Sequence, residues 1–208
     1  MIHEFQAGGG IMWFLLACIV LALALIIERI YTIFVKMRLN AKTFVTNLIK
    51  TIEASGINAG VEMCNKTTSP VARVLKAALE KASGGRALME DAIIKASASE
   101  LSFLDRGMNL LGGIITVAPF FGFLGTVTGM IRAFAAVAAV GEVEPTVVAS
   151  GISEALITTK WGLIIAAPLS IIFILIQSKI NSYTRDMETA ASTLIDYLAE
   201  KFVCTPKQ

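Results

Sequence analysis

Three long apolar runs punctuate a chain whose polar positions otherwise recur at helical spacing. A helix that crosses a bilayer needs roughly 20 consecutive apolar residues. The first run, IMWFLLACIVLALALII, covers 11–27 and is closed by Glu28 and Arg29. The second, LLGGIITVAPFFGFLGTVTGMI at 110–131, carries no charge. The third extends from Ile152 to Ile176 and is interrupted by Glu154 and Lys160.

Between the first two runs the chain also reads as helix. In TSPVARVLKAALEKASGG, Ser69 suits an N-cap, Pro70 the first helical position, and Gly84-Gly85 a stop. From Ala87 onward no breaker precedes Gly112 and Gly113, so one helix is expected to start in water and enter the membrane. Beyond the third run, Ile180, Tyr183, Met187, Ala190, Leu194, Leu198 and Phe202 recur at three- and four-residue spacing. That stripe predicts an amphipathic helix leaving the membrane. Its apolar face needs cover, either from another copy of the chain or from the same chain's helices.

The fold class expected is therefore an all-α integral membrane protein with three transmembrane helices, the second and third extending into a helical cytoplasmic domain. The predicted divisions are an N-terminal segment 1–10, a first transmembrane helix 11–35, a cytoplasmic domain 36–106 and a second transmembrane helix 107–140. An external linker 141–150, a third transmembrane helix 151–178 and a cytoplasmic C-terminal helix and tail 179–208 complete the chain. Orientation follows from Lys and Arg, which accumulate on the cytoplasmic side. Residues 1–28 and 133–159 hold none, whereas 29–106 hold twelve of the eighteen and the segment after 178 holds four. The linker carries Glu142 and Glu144 instead. The N-terminus and linker are thus expected outside and the rest of the polar chain inside. The first run also resembles a secretory signal, and LLAC at 15–18 a lipoprotein cleavage box. Without Lys or Arg ahead of it, and with Glu4 there, an uncleaved span is expected.

Composition narrows the chemistry. Of 208 residues, 55% are hydrophobic and 16% charged, against about 25% charged in a typical soluble domain. A net charge of +2 argues against nucleic-acid binding. The one histidine, His3, has no metal-ligand partner, and Cys18, Cys64 and Cys204 form no C-x-x-C pair. No phosphate loop, G-x-S-x-G or H-E-x-x-H motif occurs. No cofactor and no enzymatic activity are expected.

The second and third runs carry an unusual number of small residues for apolar helices. At 100° per residue, Ile115, Ala118, Gly122, Thr126, Gly129 and Ala133 share one side of the second run. Ala155, Thr159, Gly162, Ala166 and Ser170 share a face of the third. Each Gly costs roughly 1 kcal/mol against Ala in a helix interior, so the strips call for a reason. Close packing is one, since Gly125-x-x-x-Gly129 is a small-xxx-small pattern. A wet ion path is the other, because both strips carry a threonine at mid-depth and membrane hydroxyls tend to face a partner or a cavity. The pairing of the two strips favours a wet axis between them over a sealed seam. Pro119 adds an expected kink, whose freed carbonyl must be satisfied by neighbours or water.

Glu154 and Lys160 would each cost about 2.5–3.5 kcal/mol at the bilayer centre and less near its edge. Six residues apart, they cannot form an i,i+4 pair, so each must find a partner elsewhere or snorkel. Lys160 is as open to a structural role as to a functional one.

On FLGTVTGMIRAF at 123–134 and GISEALITTKWGLIIAAP at 151–168, with IIERIY at 26–31 as a lesser match, the chain resembles the MotA/TolQ/ExbB proton-channel family, most closely its short ExbB/TolQ branch. The resemblance extends over residues 10–200. It implies a homopentamer in the bacterial inner membrane, around a pore that holds transmembrane helices of a single-span ExbD/TolR-like partner bearing an intramembrane aspartate. A TonB/TolA-like protein spanning the periplasm would receive the work. It further implies that Thr126, Thr159 and Glu154 line or border the ion path, with Thr158 where some relatives have alanine; Ser170, on the same face of the third run as Thr159, is a further candidate for that path. Lys160 departs from relatives with a small residue there, and would pair with an acidic group of the partner or a neighbouring subunit. The chain offers no carboxylate at mid-membrane, a gap the partner's aspartate would fill.

Overall fold

The computed structural model describes residues 4–5, 8–33, 39–140 and 145–203, without the side chains of Val140, Val147, Phe202 and Val203. His3, Glu142, Glu144 and Cys204 lie outside the described residues, as does the side chain of Phe202. Among the described residues all regular structure is helical. The elements are α1 (Ile11–Tyr31), α2 (Ala41–Lys66), α3 (Pro70–Glu80), a 3₁₀ turn (Ala82–Gly84), α4 (Arg86–Asp105), α5 (Met108–Val140) and α6 (Pro145–Val203). Three stretches, beginning at Ile11, Arg86 and Val148, are long and apolar enough to cross a membrane, and the chain is an all-α membrane protein.

The chain divides into two compact units. One combines residues 1–28 with 107–176, the other 29–106 with 177–208. In the first unit α1, α5 and the apolar part of α6 turn large side chains outward: Trp13 is 66% exposed, Phe120 66% and Leu175 65%. Such a surface calls for cover by lipid tails or by other apolar protein surface. Phe14 of α1 stacks on Phe121 of α5 at 5.4 Å between ring centres. Pro119 and Pro168 both sit inside helices.

The second unit has a closed core. Phe44, Leu48 and Ile52 of α2 and Val74, Leu75 and Leu79 of α3 meet Met187, Leu194 and Leu198 of α6. The amphipathic stripe of α6 is therefore covered by helices of its own chain, the second of the two expected partners. Burial of each such Leu contributes roughly 1.5–3 kcal/mol. Polar ties rim this core. Arg73 of α3 donates from Nε to Glu100 Oε1 of α4 at 2.6 Å, and Nη2 reaches the second carboxylate oxygen. Arg86 Nη2 of α4 meets Asp196 Oδ1 of α6 at 3.2 Å.

The local stops behave largely as their residues dictate. Ser69 caps α3 by backbone conformation without a side-chain hydrogen bond, and Pro70 occupies its first turn. The 3₁₀ turn ends at Gly85, whose φ of +86° suits a residue without Cβ. The expected single helix from Ala87 into the second span is broken. α4 ends at Asp105, Gly107 adopts φ +85°, and α5 starts at Met108, whereas Gly112 and Gly113 are helical throughout. A lone Gly in an otherwise helical pattern was the breaker; the Gly pair, with no demand for left-handed backbone, was not. At the break, Arg29 is 4% exposed and donates Nη1 to the Leu104 carbonyl at 2.9 Å and the Phe103 carbonyl at 3.2 Å. It thereby satisfies carbonyls that the end of α4 leaves open.

Candidate ion-path site

The small-residue strips of α5 and α6 lie against each other. Ala118, Gly122, Gly125, Gly129 and Ala133 of α5 are buried, as are Gly151, Ala155, Thr158, Gly162 and Ala166 of α6. A Cβ placed on Gly122 would lie 3.1 Å from the Thr158 carbonyl oxygen and from Thr159 Cα. One on Gly162 would meet the Ala118 carbonyl at 3.0 Å, and one on Gly129 the Gly151 carbonyl at 3.0 Å. The backbones approach so closely because Cβ atoms are missing there, as in small-xxx-small contacts of membrane helices. Within one protomer the strips seal, and the expected wet axis between them does not form. The reason is steric fit: two glycine-rich faces gain more dispersion contact pressed together than held apart.

The hydroxyls report on this seam. Thr158, 1% exposed, donates to the Ala155 carbonyl at 2.8 Å within its own helix and lies 3.4 Å from the Gly122 carbonyl across the seam. Thr159, half-buried at the seam's edge, donates to the same Gly122 carbonyl at 3.0 Å. Thr126 is half-buried and turns its hydroxyl back to the Phe123 carbonyl at 2.6 Å. Ser170 bonds the Ala166 carbonyl at 2.8 Å. Thr126, Thr159 and Ser170 are thus partly accessible along the seam's margin, and Thr158 is locked inside it.

Both intramembrane charges are paired, and within this chain. Glu154 Oε1 accepts from Arg132 Nη1 of α5 at 2.9 Å. Lys160 donates to Glu4. Glu4 thus supplies an acidic group to Lys160 from within the same chain. Gly9, with φ +67°, lies directly on the Arg132–Glu154 pair: a Cβ there would strike Glu154 Oε1 and lie 3.3 Å from Cδ. Phe5 adds an edge-to-face contact with Trp13 at 5.2 Å.

Arg132 stands in the quoted 123–134 motif as the only charge near the end of the second run, and a cation at a span boundary can serve an intramembrane carboxylate nearby. Glu4 and Gly9 offer no such local signal. Gly151 escaped notice because its role depends on Ala133, whose Cβ lies 2.5 Å from where a Gly151 side chain would start. No group of three or more His, Cys, Asp or Glu side chains that could hold a metal ion occurs among the described residues.

Residues 66–189, which include α5 and most of α6, match the model of the MotA/TolQ/ExbB proton channel family. The chain belongs to this family. Its kinship is with the ExbB-like members. An ExbB-like biopolymer transport protein of Synechocystis sp. is 33% identical over 163 residues, 77% of each chain. An ExbB homologue of Methanothermobacter thermautotrophicus is 28% identical over 86% of this chain and 64% of its own length. The biopolymer transport protein ExbB of Salmonella typhimurium is 33% identical over 93 residues, 45% of this chain and 38% of that protein. The chain thus spans less than two thirds of the length of two of these relatives.

Proposed function

We propose that this chain is the pore-forming subunit of an inner-membrane motor that couples proton flow to work on periplasmic or outer-membrane partners, such as energised import or envelope maintenance. In this reading five copies surround a pore, and a single-span ExbD/TolR-like protein inserts its intramembrane aspartate there. A TonB/TolA-like protein carries the resulting force across the periplasm. The N-terminus and the 141–150 linker face the periplasm, and the α2–α4 unit with the end of α6 faces the cytoplasm. The chain itself performs no covalent chemistry.

The observation that carries the reading is the pair of threonines, Thr126 and Thr159, left partly accessible beside a seam built from glycine, alanine and the buried Thr158. Since α5 and α6 seal face to face, the path is assigned to the margin of the seam, between copies, rather than to its interior. A hydroxyl there can donate or accept, so it can bond a carboxylate in either protonation state and hold a short file of water. The membrane potential supplies about 2.3 kcal/mol per charge per 100 mV, a usable drive if transfer is tied to movement. Replacing Thr126 and Thr159 together by Val should abolish energy coupling and ion uptake while the assembly keeps its size. Full activity in that double variant would refute the path.

One observation favours a second reading, a non-conducting scaffold: the interlocked glycines account for the small residues by packing alone. That reading expects the double threonine variant to be silent, with Gly122→Leu or Gly129→Leu alone preventing assembly.

A further inference from the structure

Lys160 places a cation one residue from Thr159, on the helix assigned to the ion path. An ammonium beside a cation route repels what passes, and in a medium of low dielectric that repulsion reaches several ångströms with little screening. Its counter-charge is Glu4, 156 positions away in sequence, and no other ion pair involves Lys160 among the described residues. The pair is partly accessible, with side chains 46% and 38% exposed, so it is not a packed structural core.

The N-terminal residues are held in place by three separate contacts. Glu4 reaches Lys160, Phe5 packs edge-on to Trp13, and Gly9 rests against the Arg132–Glu154 pair in a backbone conformation that disfavours side chains. Glu154 and Lys160 lie six residues apart, about 9 Å along α6. Gly9 meets the first and Glu4 the second.

We propose that the N-terminal segment is a built-in neutralising strap, in which Glu4 cancels the Lys160 charge and Gly9 provides the seat that brings Glu4 there. Glu4 and Gly9 are positioning residues. They touch no passing ion in this scheme but set the electrostatic barrier it meets. The inference rests on the ion-path reading and assigns Lys160 its role within it: a charge tolerated because the same chain carries its neutraliser.

The test uses the native complex, purified through a tag on this chain and reconstituted into vesicles, with proton or sodium uptake driven by an imposed potential. Glu4→Gln should lower uptake about tenfold or more. Adding Lys160→Gln to the same chain, or exchanging the charges as Glu4→Lys with Lys160→Glu, should restore uptake to within about threefold of wild type. Gly9→Val should act like Glu4→Gln and be rescued by Lys160→Gln in the same way. A role confined to stability would be rescued in the same way, so the yield and thermal stability of each assembled complex are measured alongside; they should stay at wild-type level in Glu4→Gln, and a parallel loss would overturn the inference. Wild-type uptake in Glu4→Gln, or failure of both double variants to recover, overturns the inference. If uptake is lost in Thr126→Val with Thr159→Val yet intact in Glu4→Gln, only the strap is wrong. If the threonine variant conducts normally, the path and the strap fall together.

Discussion

Gly125 faces Thr158 across the seam of α5 and α6 with no room for a side chain, and adding a single methyl group there should show it. A Cβ at this position would lie 2.5 Å from Thr158 Cβ and 2.9 Å from Thr158 Cγ2. Rotating the threonine cannot relieve the first contact, because the position of Cβ is fixed by the backbone. Ordinary contact begins near 3.4 Å, so the helices must separate by roughly 0.9 Å locally. Overpacking of this kind costs about 1–3 kcal/mol, set against a gain of up to about 1 kcal/mol from replacing Gly by Ala in a helix. The correct control is Gly113→Ala, on the same helix with nothing within 4 Å of the added atom, which receives the propensity gain without the clash. Gly125→Ala should therefore be less stable than Gly113→Ala by about 1–3 kcal/mol in reversible unfolding by mixed detergent micelles. It should also lengthen the hydrogen bond from the Thr159 hydroxyl to the Gly122 carbonyl, visible as a shift of the Gly122 carbonyl carbon resonance. Equal stability of the two variants would show that the seam is soft and that the glycines are not there for close approach.

Three other outcomes follow from the same geometry. Burial raises the Cys64 thiol from 9.0 to about 11, so at pH 7.5 its thiolate fraction is about a hundredfold below that of an ordinary cysteine. In a chain with Cys18 and Cys204 replaced by serine, maleimide labelling should be slow until the unit unfolds, and rapid labelling of folded protein would contradict the burial. Leu194, fully buried against α2 and α3, should cost about 2–5 kcal/mol when cut to Ala, measured as a loss of thermal stability. Arg132→Gln and Glu154→Gln should be non-additive by about 1 kcal/mol in a double-mutant cycle, whereas strict additivity would mean the 2.9 Å pair contributes nothing.

Much of this architecture is written in periodicity. The three apolar runs, the α3 start at Ser69-Pro70 and the stripe from Ile180 to Leu198 each follow from side-chain spacing within one element, and each appears where that spacing puts it. What escaped reading depends on pairing between distant segments. Whether a glycine breaks a helix depends on the backbone its neighbours require, so Gly107 broke the helix while Gly112 and Gly113 did not. The strips of α5 and α6 were visible as faces, but a face does not say whether it meets water or another face. That was decided by the matched register of Gly122 with Gly162 and of Gly129 with Gly151. Likewise Glu154 and Lys160 announced that they needed counter-ions, yet Arg132 stands 22 residues from its partner and Glu4 stands 156 from Lys160.

The hold of Arg29 on the carbonyls of Phe103 and Leu104 has a consequence for biogenesis. The guanidinium is synthesised about 75 residues ahead of the groups it closes, and it follows directly on the first apolar run. A nascent chain that threaded α1 through the bilayer backwards would strand Arg29 on the opposite face and leave the end of α4 unfinished. The finish of α4 is thus conditional on where a residue made some 75 positions earlier has come to rest.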